Sequence, residues 1–153
     1  MKMIEPSMTC QKAIRRAISV ARATGSATLM PEHFILAMLY GNNSATRCLR
    51  KIGAPIIEMR NAWIKRLPNE AKVKHTEVHS SMEWNLVMNQ ARKKAQEGKC
   101  ESVNVLHVFV AIIDIDSVIK DVLETFHIAW KTICQFLARL TESTRAYLTP
   151  QTA

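Results

Sequence analysis

The feature that most constrains the fold of this chain is an internal duplication with an offset of 74 residues. Residues 31–39, which begin Pro31-Glu32-His33, resemble residues 105–113, and aligning His33 with His107 sets the offset. The same register, without gaps over more than fifty positions, pairs further identical residues: Ser7 with Ser81, Ala17 with Ala91, Ala21 with Ala95, Ala37 with Ala111 and Leu49 with Leu123. Such self-similarity is typical of a tandem repeat of one structural unit.

Each repeat is predicted to contain four helices, because apolar residues recur at helical spacing between well-separated turn residues. Only four glycines and five prolines interrupt the 153 residues. Ser7, Ser81 and Asn104 suit helix N-caps. The sequence therefore predicts an all-α fold, with about eight helices in two pseudo-symmetric repeats that form one compact domain. The expected boundaries are repeat one over 7–67, a linker over 68–80, repeat two over 81–141 and a flexible tail over 142–153.

Charge and cysteine usage limit the possible partners and compartments. The net charge of +8 favours acidic proteins, nucleic acid or anionic membranes, although the basic residues form no run of five or more. The four single cysteines contain no CxxC pair, which suits a reducing compartment and gives no support to a zinc site. The longest apolar run, Phe34 to Tyr40, is too short to span a membrane. We therefore expect a cytoplasmic protein, or one from an organelle of similar redox state, without a metal or another cofactor.

Taken together, these motifs resemble the N-terminal domain of the Clp family of AAA+ unfoldases. The matching pieces are an Ala-Arg-rich helix end with its glycine, a Glu-His start to a buried helix, and a later helix that ends at a glycine. They lie at residues 21–25, 30–36 and 45–53, and the resemblance covers roughly residues 7–140. The second repeat is more divergent, since Leu106 stands where the family often has Glu and His127 where it has Gly.

The resemblance implies a non-catalytic docking domain. Such domains bind adaptor proteins or substrate polypeptides for an ATP-driven ring that unfolds them for proteolysis. The expected partners are therefore adaptors, substrates and Clp ATPase or peptidase subunits. This chain has no GxxxxGK[ST] phosphate loop, so we expect it to bind no ATP itself. Whether it is a piece of a longer unfoldase or a free-standing accessory subunit stays open.

The candidate partner-binding residues lie at predicted helix starts. Some family members use an acid at the start of the second helix of each repeat to receive a modified arginine, which would make Glu32 a receptor for a cationic group beside Ser7 and Thr9. Leu106 replaces the second acid, so at most one such pocket is expected. Trp84 in the first turn of the fifth helix is predicted to be partly exposed as a partner anchor. The full candidate set is Ser7, Thr9, Glu32, Glu83, Trp84 and Leu106.

Structural interpretations of several residues and one rival function accompany this set. Glu32 also has a structural reading, because a carboxylate in the first turn interacts well with the helix dipole. His33 and His107 are interpreted as structural residues, and Trp63 and Trp130 as core. The rival function is a small basic nucleic-acid-binding or regulatory protein. It would use Asn85, Asn89, Arg92 and Lys93 of the fifth helix as a recognition face.

Overall fold

A computed structural model describes residues 4–67 and 77–148, with no side-chain detail from residue 140 onward. Over these residues the chain forms eight helices and two very short strands. The first repeat contains α1 (Met8–Ala23), β1 (Thr28–Leu29), α2 (Pro31–Leu39), α3 (Ser44–Lys51) and α4 (Ile56–Arg66). The second contains α5 (Met82–Glu97), α6 (Val105–Ile115), α7 (Ser117–Thr125) and α8 (Trp130–Leu148), and β2 (His79–Ser80) precedes it. The predicted all-α, two-repeat fold is confirmed.

Side-chain caps begin the first helix of each repeat in the same way. The Ser7 hydroxyl accepts a hydrogen bond from the Cys10 amide at 3.1 Å. In repeat two the Ser81 hydroxyl accepts one from the Trp84 amide at 3.0 Å. Each cap satisfies an amide that has no partner within its own helix. The offset of 74 found in the sequence therefore applies to local hydrogen bonding as well as to residue identity.

The core is built on the two apolar helices α2 and α6. Phe34 on α2 and Phe109 on α6 are fully or almost fully buried, as are most of their neighbours on both helices. Helix α1 packs on α2, and α5 packs on α6 in the equivalent way. Helices with apolar residues nearly all round need cover on every side, and the remaining helices supply it.

Short parallel pairings cross-connect the two repeats. In β1 and β2, Thr28 lies opposite His79 and Leu29 opposite Ser80. An isolated parallel bridge joins Pro6 to Val103. Adding 74 to the number of Leu29 gives Val103, and subtracting 74 from that of Ser80 gives Pro6. The two pairings are therefore equivalent, and a pseudo-two-fold rotation that exchanges the repeats also exchanges the pairings. As a result, the start of α5 lies beside the start of α2, and the start of α1 lies beside the start of α6.

Two predicted boundaries differ from the structure. Residues 79–80, predicted as part of an aperiodic linker, form β2 because β1 provides main-chain hydrogen-bond partners. Residues 68–76 of that linker lie outside the described residues. Helix α8 continues to Leu148, so residues 142–148, predicted as a tail after repeat two, belong to the last helix. The last five residues are again outside the described range.

Candidate functional site

The pseudo-two-fold arrangement creates two equivalent places where helix starts from different repeats meet. At the first helix-start site, the start of α2 meets the start of α5, and the Ser81 amide donates to the Leu29 carbonyl at 3.2 Å. At the second helix-start site, the start of α6 meets the start of α1, and the Ser7 amide donates to the Val103 carbonyl at 2.8 Å. The free amides and positive dipole ends of helices make such places suited to polar recognition.

This pairing corrects the expected neighbours of Glu32. Ser7 lies with the start of α6, and so does the first turn of α1 with the exposed Thr9. Among the candidate residues, the one close enough to Glu32 to affect its pKa is Glu83, which is equivalent to Thr9 in the other repeat. The sequence-based grouping of Glu32 with Ser7 and Thr9 is therefore wrong, because the strand pairing exchanges the helix starts between repeats. Glu83, in contrast, does lie with Glu32.

The first helix-start site is acidic. Glu32, which is partly exposed in the first turn of α2, faces the carboxylates of Asp116 and Glu83. Burial raises the pKa of the Glu32 carboxyl above its ordinary value, and a hydrogen bond with its own backbone amide opposes this shift. The charges of Asp116 and Glu83 and a hydrogen bond with the Asp116 side chain raise the pKa further. Neither ion pair among the described residues involves these carboxylates. An accessible, uncompensated acidic group of this kind attracts cations.

Sequence reasoning missed Asp116. This residue is the N-cap of α7, where its Oδ1 accepts from the Val118 amide at 2.9 Å. Its role as a cap was visible from its place before a helical stretch, but its proximity to Glu32 depends on how the two repeats pack. Only the tertiary structure brings these two residues together.

A cavity of about 410 Å³ adjoins Glu32 on the side of repeat one. It is lined by the turn after α1, the start of α2 and the end of α4, with Gly25, Met30, His33 and Arg66 among its residues. The Nε1 atom of Trp63 donates to the Glu32 carbonyl at 2.7 Å and so fixes α4 against the start of α2. Trp63 is buried, as predicted.

The second helix-start site is closed and contains no equivalent acid. Leu106 is fully buried, and its amide donates to the Ser44 hydroxyl at 2.9 Å. That hydroxyl in turn lies 3.3 Å from Oδ1 of Asn104, the N-cap of α6. Leu106 is therefore inaccessible to a partner in this conformation, and this corrects its place among the candidate binding residues. A single acidic site, at Glu32, remains.

The prediction that Trp84 is partly exposed is wrong. Its side chain is buried, with 4% of its surface accessible, and its ring centroid lies 5.3 Å from that of Phe34 in the other repeat. The aromatic ring thus joins α5 to α2 inside the core. The first turn of α5 faces inward at this position because the helix starts against β1. The exposed residues of that turn are Met82 and Glu83 instead.

The paired histidines have the same structural contact in both repeats. Nδ1 of His33 accepts the Met30 amide at 3.0 Å, and Nδ1 of His107 accepts the Asn104 amide at 3.0 Å. Burial lowers the pKa of both rings, to about 4 for His107, where the charge of Lys94 adds to the effect. A neutral ring can accept at Nδ1, so each histidine completes the start of its helix.

In the described part of the chain, no three His, Cys, Asp or Glu side chains are grouped as metal ligands. None of the helices there combines the length and apolar character needed to cross a bilayer. On α5, Asn85 and Lys93 are exposed, whereas Arg92 is partly buried and donates to Asn89 Oδ1 at 3.4 Å.

The fold and site define a duplicated helical domain with one acidic site between its repeats. Residues 5–126 match the family model described as the Clp repeat (R) N-terminal domain. Because that match spans both repeats and most of the chain, this protein belongs to the Clp repeat N-terminal domain family. The resemblance inferred from the sequence motifs is thereby confirmed.

Individual relatives agree with the family assignment. The chaperone protein ClpB of Bacteroides thetaiotaomicron is 23% identical over 115 residues, which are 74% of this chain. The matched part is only 13% of that chaperone's length, so this chain spans a small part of the curated relative.

Solved structures show the same fold at low sequence identity. A structure from work on a malarial protein secretion system has a TM-score of 0.83 and 15% identity, and the match covers 96% of this chain and 99% of that one. The Hsp104 N-terminal domain from Candida albicans has a TM-score of 0.76 and 19% identity, with 89% and 91% covered. A ClpV N-domain in complex with a VipB peptide has a TM-score of 0.66 and 14% identity, with 90% and 96% covered.

Proposed function

We propose that this chain is a docking domain that binds adaptor proteins or substrate polypeptides for an ATP-dependent Clp-type unfoldase. Membership of the Clp repeat N-terminal domain family supports this proposal. The ClpV N-domain of the same fold was solved with a VipB peptide, which supports recognition of a protein segment. In this proposal the domain does no chemistry, and ATP hydrolysis belongs to another domain or subunit. Weak binding would act by raising the local concentration of cargo at the ring.

The observation that carries the proposal is the acidic first helix-start site. Glu32, Glu83 and Asp116 converge there on a chain whose net charge is +8, and neither of the ion pairs among the described residues neutralises them. The charges of Asp116 and Glu83 contribute to the raised pKa of Glu32, and a cationic group on a partner relieves that repulsion on binding. We infer that a cationic group of the docked protein, such as an arginine or lysine side chain, binds beside Glu32.

The proposed cellular setting is the cytoplasm, with delivery to proteolysis as one outcome of docking. Cys10 and Cys48 are buried free thiols, and burial raises the pKa of Cys10 to about 12 and that of Cys48 to about 11. Such unreactive single thiols suit a reducing compartment. Delivery to a peptidase rests on the family relationship alone, and the identity of co-purified subunits tests it.

Site-specific photo-crosslinking in the source cell tests the docking proposal. A photoreactive amino acid replaces Met82, an exposed residue next to Glu83, and in a matched control it replaces Thr125, an exposed residue at the end of α7. We expect Clp ATPase subunits, adaptors or their substrates to be crosslinked at position 82 but not at 125. Adding Glu32→Gln to the first variant should reduce the yield at position 82.

Two results would contradict the proposal. One is an equal yield of the same proteins at both positions, which would indicate random collision. The other is crosslinking to nucleic acid alone, in a yield that falls when salt is added to a lysate before irradiation, which would favour the basic nucleic-acid-binding alternative.

A further inference from the structure

A second concave surface lies in repeat one, between the ends of α2 and α3 and the start of α4. We call it the repeat-one pocket, and its volume is about 420 Å³. Its apolar part contains two strongly exposed side chains, Tyr40 with 51% and Ile57 with 61% of their surface accessible. Six of its lining residues are Leu39, Tyr40, Arg50, Ile57, Glu58 and Arg60. Exposed apolar groups in a concave surface are typical of a protein-binding site.

The charge of the chain is concentrated in this repeat. Residues 7–67 contain ten Lys and Arg but only two Glu, a net charge of +8, whereas residues 81–141 contain seven of each sign and have none. In the described structure neither Arg50 nor Arg60 forms an ion pair with a carboxylate. The Arg60 guanidinium lies 4.6 Å from the centroid of the Tyr40 ring, a cation–π contact that orders both groups at the pocket.

The equivalent pocket in repeat two has a similar volume, about 410 Å³, but different chemistry. At the offset of 74, Glu124 replaces Arg50 and Lys131 replaces Ile57. Asp114 replaces Tyr40, and it is paired with Lys94 at 2.7 Å. The fold therefore provides the concavity in both repeats, whereas the combination of unpaired arginines with exposed apolar side chains is specific to repeat one.

We propose that the repeat-one pocket binds an acidic segment of a partner protein, in which an aromatic or aliphatic anchor is flanked by Asp or Glu. The anchor would contact Tyr40 and Ile57, and the carboxylates would pair with Arg50 and Arg60. A nucleic acid fits less well, because Glu58 lines the pocket and would repel phosphates, and because the one aromatic ring among the lining residues, Tyr40, is already in contact with the Arg60 guanidinium. This inference rests on the proposed docking function, which supplies the premise that the partner is a protein.

Peptide selection against a charge-reversed competitor tests the proposal. A display library of short random peptides is selected on the immobilised wild-type chain, with soluble Arg50→Glu/Arg60→Glu double variant in excess. Selected sequences should be rich in Asp and Glu around Leu, Phe or Trp. Synthetic versions should bind the double variant about tenfold or more weakly in fluorescence anisotropy, a loss of roughly 1.4 kcal/mol.

Two further variants distinguish binding at the repeat-one pocket from a nonspecific effect of the net charge on peptide affinity. Arg15→Glu/Arg22→Glu makes the same change in net charge at exposed positions of α1, and it should bind the selected peptides within about twofold of the wild type at moderate salt. Ile57→Ser should weaken binding severalfold with little change in its salt dependence, because it removes apolar contact and no charge. Circular dichroism of each variant verifies that the helices are retained.

Several results would overturn the inference. The selection could yield neutral or basic peptides, or enrich no peptide at all. The selected peptides could lose the same affinity for both double variants. A single-stranded oligonucleotide could displace the peptides and bind more tightly through the same arginines. The crosslinking at position 82 does not involve the repeat-one pocket. If crosslinks to an unfoldase are retained while peptide selection fails, only this inference is lost; if peptides bind as expected but the crosslinks are absent, only the unfoldase assignment is lost.

Discussion

The two repeats share a backbone but differ at the places where that backbone meets solvent. At the start of the second helix, repeat one has the partly exposed Glu32 and repeat two has the buried Leu106. The first site faces the carboxylates of Glu83 and Asp116, whereas at the second the Ser44 hydroxyl accepts the Leu106 amide. Repeat one thus has an accessible polar helix start, whereas the equivalent residue of repeat two is part of the core.

The repeats also place different residues at the same positions of left-handed backbone conformation. Gly25 and Gly53 follow α1 and α3 with φ values of 76° and 77°. Their equivalents at the offset of 74, Lys99 and His127, have φ values of 55° and 59°. The fold requires a left-handed residue after each of these helices, and only repeat one supplies glycine. Repeat two retains the conformation at a cost in stability. The two repeats therefore share the backbone conformation at these positions but not the residue.

The strongest test of the difference between the helix starts is Leu106→Glu, which would give repeat two the acid that repeat one has. Because Leu106 is fully buried, we expect the new carboxylate to lower the free energy of unfolding by about 4 kcal/mol, or to prevent folding. The matched change Glu32→Leu, at a partly exposed position, should alter stability by less than about 1 kcal/mol. Urea unfolding followed by circular dichroism measures both.

Equal tolerance of the two substitutions would contradict this interpretation. It would mean that the second helix-start site opens readily to water in solution. Both helix-start sites would then be accessible, and the contrast between an open site and a closed site would not hold.

The second largest effect concerns His107 and its equivalent His33. The folded state holds the pKa of His107 at about 4, below the usual 6.5, so the folded chain favours the neutral ring. The stability that this provides is fully present above pH 6.5 and is lost as the pH falls towards 4. The loss is about 3 kcal/mol if the shift is fully expressed. Protonation also removes the acceptor that Nδ1 offers to the Asn104 amide.

Unfolding by urea at pH 7 and near pH 4.5, compared between wild type and His107→Gln, isolates this contribution from general acid effects. The wild type should lose more stability over that interval than the variant. His33→Gln provides the comparison in repeat one, where burial also lowers the pKa of the ring. A wild type and His107→Gln with the same pH dependence would show that His107 does not titrate in this range.

The left-handed positions give a smaller effect of opposite sign in the two repeats. His127→Gly should stabilise the chain by about 0.5–1 kcal/mol, because it removes the strain of a side chain at positive φ. Gly53→His should destabilise by a similar amount. A Cβ added at Gly53 has no neighbour within 4 Å, so backbone strain is the only expected cause. Thermal unfolding measures both. A change of the same sign at both positions would show that side-chain contacts, rather than φ, decide the outcome.

The sequence predicted the parts of this structure that depend on periodicity and local chemistry. Helix spacing, the serine and asparagine caps and the offset of 74 gave eight helices in two repeats, and the structure confirms them. The offset of 74 also relates the residues with positive φ, because it pairs Gly25 with Lys99 and Gly53 with His127. A glycine does not by itself mark the left-handed residue, because α5 ends with Gly98 as its C-cap, whereas the residue with positive φ is Lys99.

What the sequence could not provide is the pairing between repeats. Glu32 was grouped with Ser7 within one repeat, yet β1 pairs with β2 and brings Glu32 to Glu83. A two-residue parallel strand has too little sequence signal to be recognised. The burial of Trp84 follows from the same pairing, since the start of α5 faces Phe34 of the other repeat. Contacts across a pseudo-symmetry axis thus decided which predicted site residues are accessible.

The smallest expected effect tests whether the acidic site is under electrostatic strain. Burial and the charges of Asp116 and Glu83 raise the folded-state pKa of Glu32, so its ionised form costs stability above that pKa, and the cost disappears as the pH falls through it. Glu32→Gln should therefore stabilise the free chain at pH 7 by less than about 1 kcal/mol, because the group is partly exposed, and the gain should vanish in acid. The same substitution should weaken partner crosslinking from position 82, so that stability and binding change in opposite directions. If Glu32→Gln lowers stability at pH 7 instead, the carboxylate is held mainly by the amides of the α2 start, and Glu32 serves as a helix-dipole partner rather than as a receptor for a cation.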